Sequence, residues 1–133
     1  MSEDLTAPAS PVPGYAGHGD AVARRRSDQQ VRAWVGELLV DLQDRLPLDG
    51  VRERVEALLT RCEFADQHVV HAIEDDRFGA DDFAAAIEDY DRKLVTAAAA
   101  CPTVTAAELG GLIDAIERAF AERAAGIEAR LKR

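Results

Sequence analysis

Long apolar runs are missing from this 133-residue chain, and no stretch approaches the ~20 residues a bilayer-spanning helix needs. Its first residues lack the basic start and apolar run of a signal peptide. Cysteine is down to two, Cys62 and Cys101, with no CxxC pair. Two isolated thiols fit a reducing cytoplasm, with both side chains buried. Aromatics make up only 5 %, so Ala, Leu and Val supply most of the apolar mass. Val and Ile recur at helical spacing rather than in alternation, which argues for an all-α protein. Positive charge is short as well: Lys and Arg number 16 against 25 Asp and Glu, for a net charge of −9. Such a balance disfavours nucleic acid, whose binding needs a cationic stripe that releases counterions, and it disfavours anionic membrane surfaces. Catalytic signatures are absent too: there is no GxSxG, no glycine-rich phosphate loop and no HExxH. No Glu-x-x-His occurs, and a di-iron carboxylate bundle needs that pattern on two helices.

What is present folds readily into helices. At 47 % hydrophobic, the chain can build one domain with a core of its own. Residues 1–26 read as a flexible Pro/Gly/Ala-rich tail, because Pro8, Pro11, Pro13, Gly14, Gly17 and Gly19 break any helix. Tyr15 and His18 lie in that tail and read as linker, with a short docking motif as the alternative. Arg24, Arg25 and Arg26 close it and read as a solvated approach to the first helix, with contact to phosphate or an acidic protein face, or folding back toward the acidic part of the chain, as alternatives.

Residues 27–133 then read as four helices. Ser27 and Gln30 have capping-box spacing, with Asp20 as the rival cap if the helix begins earlier; Val31, Trp34, Val35, Leu38, Leu39, Leu42 and Leu46 make one wide stripe that Pro47 stops. A second helix from about Gly50 to Arg77 carries Val51, Val55, Leu58, Cys62, Ala65, Val69 and Ala72 at steps of 4-3-4-3-4-3, a heptad seam. A third spans about Asp82 to Ala100, with Asp81 as its cap and Phe83, Ile87, Tyr90, Leu94, Ala97 and Cys101 inward. Thr105 with Glu108 is another capping box, and Leu109, Leu112, Ile113, Ile116, Phe120, Ile127 and Leu131 follow it. Gly110-Gly111 inside the fourth helix costs about 1 kcal/mol per residue relative to Ala, and close contact with another helix would explain it. Short links make neighbouring helices antiparallel. The expected fold is an all-α, antiparallel up-down-up-down four-helix bundle with a disordered N-terminal tail.

Polar chemistry is concentrated between Cys62 and Asp91, where ten acids face one base, Arg77. On the second helix, Phe64, His68, His71 and Asp75 fall at steps of 4-3-4, on a stripe the core seam does not use. That pattern supports three readings: a solvated acidic face, a protein-binding face with Phe64 as anchor, or a metal site. In the second, Phe64, His68, His71, Asp75, Asp76 and Asp82 would meet a basic partner or another copy of the chain. In the third, His68, His71 and Asp75 would ligate a divalent ion such as zinc. Carboxylates nearby favour the charged form of both histidines. Cys62 is a seam residue rather than a nucleophile, and Cys101 sits where the helix dipole disfavours a thiolate. The sequence therefore reads as a cytoplasmic acidic bundle acting through protein–protein interaction as an adaptor, regulatory or assembly subunit. The alternative is a metal- or small-ligand-binding bundle, an enzyme included, that uses His68, His71 and nearby carboxylates; Glu88, Tyr90 and Asp91 offer acid/base groups, though no pocket is marked.

Overall fold

Alanine, leucine, arginine and glutamate, all good helix formers, make up nearly half of the chain. The computed structural model describes residues 12–18, 21–63 and 81–131, and all regular structure among them is helical. Helix α1 spans Ala21–Arg45, α2 Arg52–Glu63, α3 Asp81–Ala98 and α4 Leu109–Leu131, the last entered through a 3-10 turn at Ala106–Glu108. No described helix is long and apolar enough to cross a membrane.

Each helix buries the stripe its spacing marks. Val31, Val35, Leu39 and Leu42 of α1 meet Val55, Leu58 and Cys62 of α2, and Leu94, Ile113, Ile116 and Phe120 join them from α3 and α4. Trp34 packs against this core while staying partly exposed. The closest partnerships are α1 with α2 and α3 with α4; α1–α3 and α2–α4 contacts join the two pairs.

The chain between helices is fixed by specific residues. Leu48 plugs the core after α1, and Gly50 turns the backbone at φ +85, a conformation that penalises a Cβ. Arg45 reaches from the end of α1 to the α3–α4 loop, donating to the carbonyls of Cys101 (2.6 Å) and Val104 (2.9 Å). Arg54 of α2 forks onto Glu117 of α4 at 3.0 and 2.6 Å and also bonds Asp114. Thr105 donates its backbone N–H and its hydroxyl to Glu108 Oε1, each at 3.0 Å, as capping-box spacing predicts.

Three local expectations change. Helix α1 starts at Ala21 rather than Ser27, so residues 21–26, assigned to the tail from sequence, form its first turns. Ser27 does not cap: it is buried, and its hydroxyl donates to Gly17 O (2.7 Å) while accepting from the Ala16 N–H (2.9 Å). Residues 12–18, also placed in the tail, pack on the helices with Val12 inside the core. The glycine pair does not serve close packing, because a Cβ at Gly110 or Gly111 would meet nothing within 4 Å. The close approach is instead at Gly126, where an added Cβ would overlap the Tyr90 ring.

Candidate functional site

Polar residues at seam positions create the chemistry of this molecule. Asp28 precedes Val31 and Val35 at steps of three and four, Asp91 falls between Ile87 and Leu94, and Arg123 between Phe120 and Ile127. All three point where their apolar neighbours point. They are consequently buried, at 2 %, 0 % and 3 % exposure.

Burial of charge is costly unless the groups are paired, and here each is. Arg123 donates from Nε to Asp91 Oδ1 at 2.8 Å and from Nη2 to Asp28 Oδ1 at 2.6 Å. The second oxygen of Asp28 accepts from Arg32 Nε at 3.0 Å. Arg32 Nη1 then donates to the carbonyl of Cys62 at 2.8 Å. An ordered chain of alternating charges thus runs from α3 through α4 and α1 to the end of α2. Burial alone would raise the Asp91 carboxyl, but the Arg123 guanidinium and the His18 bond outweigh it and hold the group below its ordinary value. Burial likewise opposes charge on Arg123, yet Asp91 and Asp28 raise its proton affinity above the usual guanidinium value. Arg123 stays a cation.

The second oxygen of Asp91 holds the N-terminal segment. Tyr15 donates its hydroxyl to Oδ2 at 2.9 Å, and His18 Nε2 lies 2.5 Å from the same oxygen. An ionised carboxylate only accepts, so the imidazole proton sits on Nε2. His18 is wholly enclosed, and its Nδ1 has no hydrogen-bond partner among the described residues. Burial, then the charge and hydrogen bond of Asp91, push the Tyr15 phenol well above its ordinary value.

Where Arg32 emerges from this chain, it meets an open groove of about 920 Å³ between α1 and α2. Ala33, Gly36 and Val40 floor it on α1, with Leu59 and Cys62 on α2. The groove exists because two of these α1 positions are small: a Cβ at Gly36 would rest 3.4 Å from that of Cys62. Val40 is 46 % exposed, and Glu37, Asp41 and Glu63 form the rim. None of these three carboxylates pairs with a base among the described residues. Burial pushes the Cys62 thiol up to about 11, so it is protonated at neutral pH and is not a nucleophile. Across the molecule, Arg92, Lys93 and Arg118 surround a shallower hollow of about 360 Å³ between α3 and α4. The two faces differ in sign.

Of the residues singled out from sequence, Phe64, His68, His71, Asp75 and Asp76 lie outside the described residues. Asp82 lies in the first turn of α3, with its side chain outside them too. No group of three or more His, Cys, Asp and Glu that could hold a metal occurs among the described residues. Cys62 and Cys101 are both buried and free. Sequence reasoning passed over the ion chain, although charged residues at core spacing in three helices were a readable signal. Compared with known proteins, the chain matches no family model, no curated protein and no solved structure.

Proposed function

We propose that this chain is a non-catalytic interaction module, an adaptor, regulatory or assembly subunit, that receives a helical segment of a partner protein in the α1–α2 groove. The observation that carries this reading is the pairing of an apolar floor with an acidic rim. Val40, Leu59 and Ala33 offer apolar contact in the groove. Glu37, Asp41 and Glu63 line its rim, none of them in an ion pair among the described residues, with Arg32 at one end held by Asp28. An amphipathic helix with basic flanks complements both properties, its anchors entering the groove at helical spacing. Carboxylates of this kind also speed encounter with a cationic partner. Glu63 directly precedes Phe64 in sequence. Phe64, His68, His71, Asp75, Asp76 and Asp82 remain proposed partner-binding residues from the sequence, on an antiparallel up-down-up-down bundle working in the cytoplasm. A small-molecule site is less favoured, because the groove stands open to solvent whereas ligand pockets enclose most of their ligand.

The test is crosslinking in the native cell, read by mass spectrometry, with wild type beside three variants. Val40→Arg and the pair Glu37→Lys/Asp41→Lys alter the groove; Arg118→Glu alters the opposite face as a control. A partner crosslinked through a basic helix in wild type and Arg118→Glu, and lost in both groove variants, is the expected result. Identical crosslinks from all four proteins would defeat the reading.

A further inference from the structure

We infer that the cleft between α1 and α3 is a peptide-docking site, and that Val12–His18 of the same chain is its resident, displaceable occupant. The partner it fits is a turn-forming peptide of another protein that carries a phenol and an imidazole three positions apart.

The segment is recognised as a ligand would be. It belongs to no helix, and only positions 19 and 20 separate it in sequence from α1. Its side-chain donors, Tyr15 and His18, converge on one oxygen, Asp91 Oδ2. The two rings meet edge-on, 5.9 Å between centroids. The backbone is read as well: the His18 N–H donates to Glu88 Oε2 at 3.1 Å, and Ser27 bonds both Gly17 O and the Ala16 N–H. Glycine is required at position 17, where φ is +74 and a Cβ would lie 3.2 Å from Glu88 Oε2. The backbone turns between Val12 and Tyr15 and at Gly14 and Gly17, so both donors and backbone shape are specified.

Departure of the segment leaves the helices complete. Asp28, Arg32, Asp91 and Arg123 all stand on helices and neutralise one another without it. What opens is the free oxygen of Asp91, with Glu88 and Ser27 beside it, an acceptor-rich cleft for donor-bearing side chains. Val12 and Tyr15 also pack on the core, so departure uncovers an apolar site beside the polar one; a short segment outside the helices still opens at lower free energy than the helices it covers. The inference stands apart from the α1–α2 groove and does not rest on it.

Two measurements test it. In hydrogen exchange on the full wild-type chain, the Ala16 and His18 amides should exchange at least about 100-fold faster than those of Val35 and Leu39 in α1, by opening below the global level. Equal rates would mean the segment leaves only on global unfolding, and the proposal would fall. In the second, a fluorescent peptide of residues 10–20 is titrated into wild type and into the Tyr15→Ala/His18→Ala chain, with helicity checked by circular dichroism. Saturable binding at least about tenfold tighter to the variant, abolished when the peptide itself carries Gly→Ala at position 17, is expected from relief of the resident competitor. No binding to a folded variant would overturn the inference. So would a wild-type dimer that the peptide splits into monomers, because the segment would then be exchanged between copies rather than held in its own chain.

Discussion

Arg123 and Asp91 face each other at 2.8 Å, Nε to Oδ1, with side-chain exposures of 4 % and 0 %. Neither has water to fall back on, so each depends on the other and on Asp28. A pair of this kind adds little net stability over apolar residues of the same shape, yet removing one member is costly. Asp91→Ala is expected to destabilise the chain by about 3–5 kcal/mol, and Arg123→Leu by a similar amount because it leaves two carboxylates together. Arg123→Lys should recover little, since an ammonium cannot fork to both partners. Urea denaturation followed by circular dichroism reads all three.

The same carboxylate sets the acid limb of stability. Its folded pKa is depressed, mainly by Arg123 working against burial, relative to an unfolded value of roughly 3.9. The associated stability is whole above that unfolded value and is lost as pH falls through the folded one. Wild type should therefore weaken below about pH 4, and Asp91→Asn should show a shallower acid limb as well as lower stability at neutral pH. Tyr15 acts at the other end. Its folded pKa is raised, so its contribution is complete below about pH 10 and declines as pH rises beyond it. Urea midpoints across pH, with tyrosinate absorbance at the alkaline end, decide both.

Glycines on α4 should respond oppositely to alanine. Gly126→Ala places a methyl into the Tyr90 ring and is expected to cost about 1–3 kcal/mol, as overpacking does; Tyr90→Leu in the same chain should relieve most of it. Gly110→Ala and Gly111→Ala meet open space and should each stabilise by up to about 1 kcal/mol. Thermal melts of the four variants separate these outcomes.

Cys62 and Cys101 should resist alkylation in the folded chain. Burial pushes each thiol up to about 11, so few thiolates exist at mildly alkaline pH. Iodoacetamide labelling followed by intact mass should show both protected until denaturant is added. Fast labelling of Cys62 in the native chain would contradict its burial.

Helix content and the apolar core were legible in the sequence because they rest on local periodicity. Val31, Val35, Leu58, Leu94 and Ile116 are buried as their spacing predicts. The start of α1 was legible only in part: Asp20 offered an earlier cap than Ser27, but Pro and Gly before it suggested a tail. Ser27 read as a helix cap, Arg24 as part of the tail, and Asp28 drew no reading, because Gly17, His18 and Arg123 come to them from elsewhere in the chain. The groove was hidden for a related reason. Gly36 and Ala33 carry no periodic signal, and only the position of α2 makes the space beside them a trough. Asp91 was visible as one of ten acids in a charged stretch, but its neighbours gave no hint that two ring donors and an arginine would converge on it.

Asp28 and Arg123 are separated by 95 positions along the chain. During synthesis from the N-terminus, both Asp28 and Asp91 leave the ribosome well before the arginine that neutralises them. Until then the growing chain cannot close its interior around two bare carboxylates without protonating them or leaving water inside. Pairings between positions so distant in sequence also form slowly. The native state is therefore sealed late, by a residue of the last helix, and a ribosome stalled before Arg123 would hold a chain with helices but no finished core.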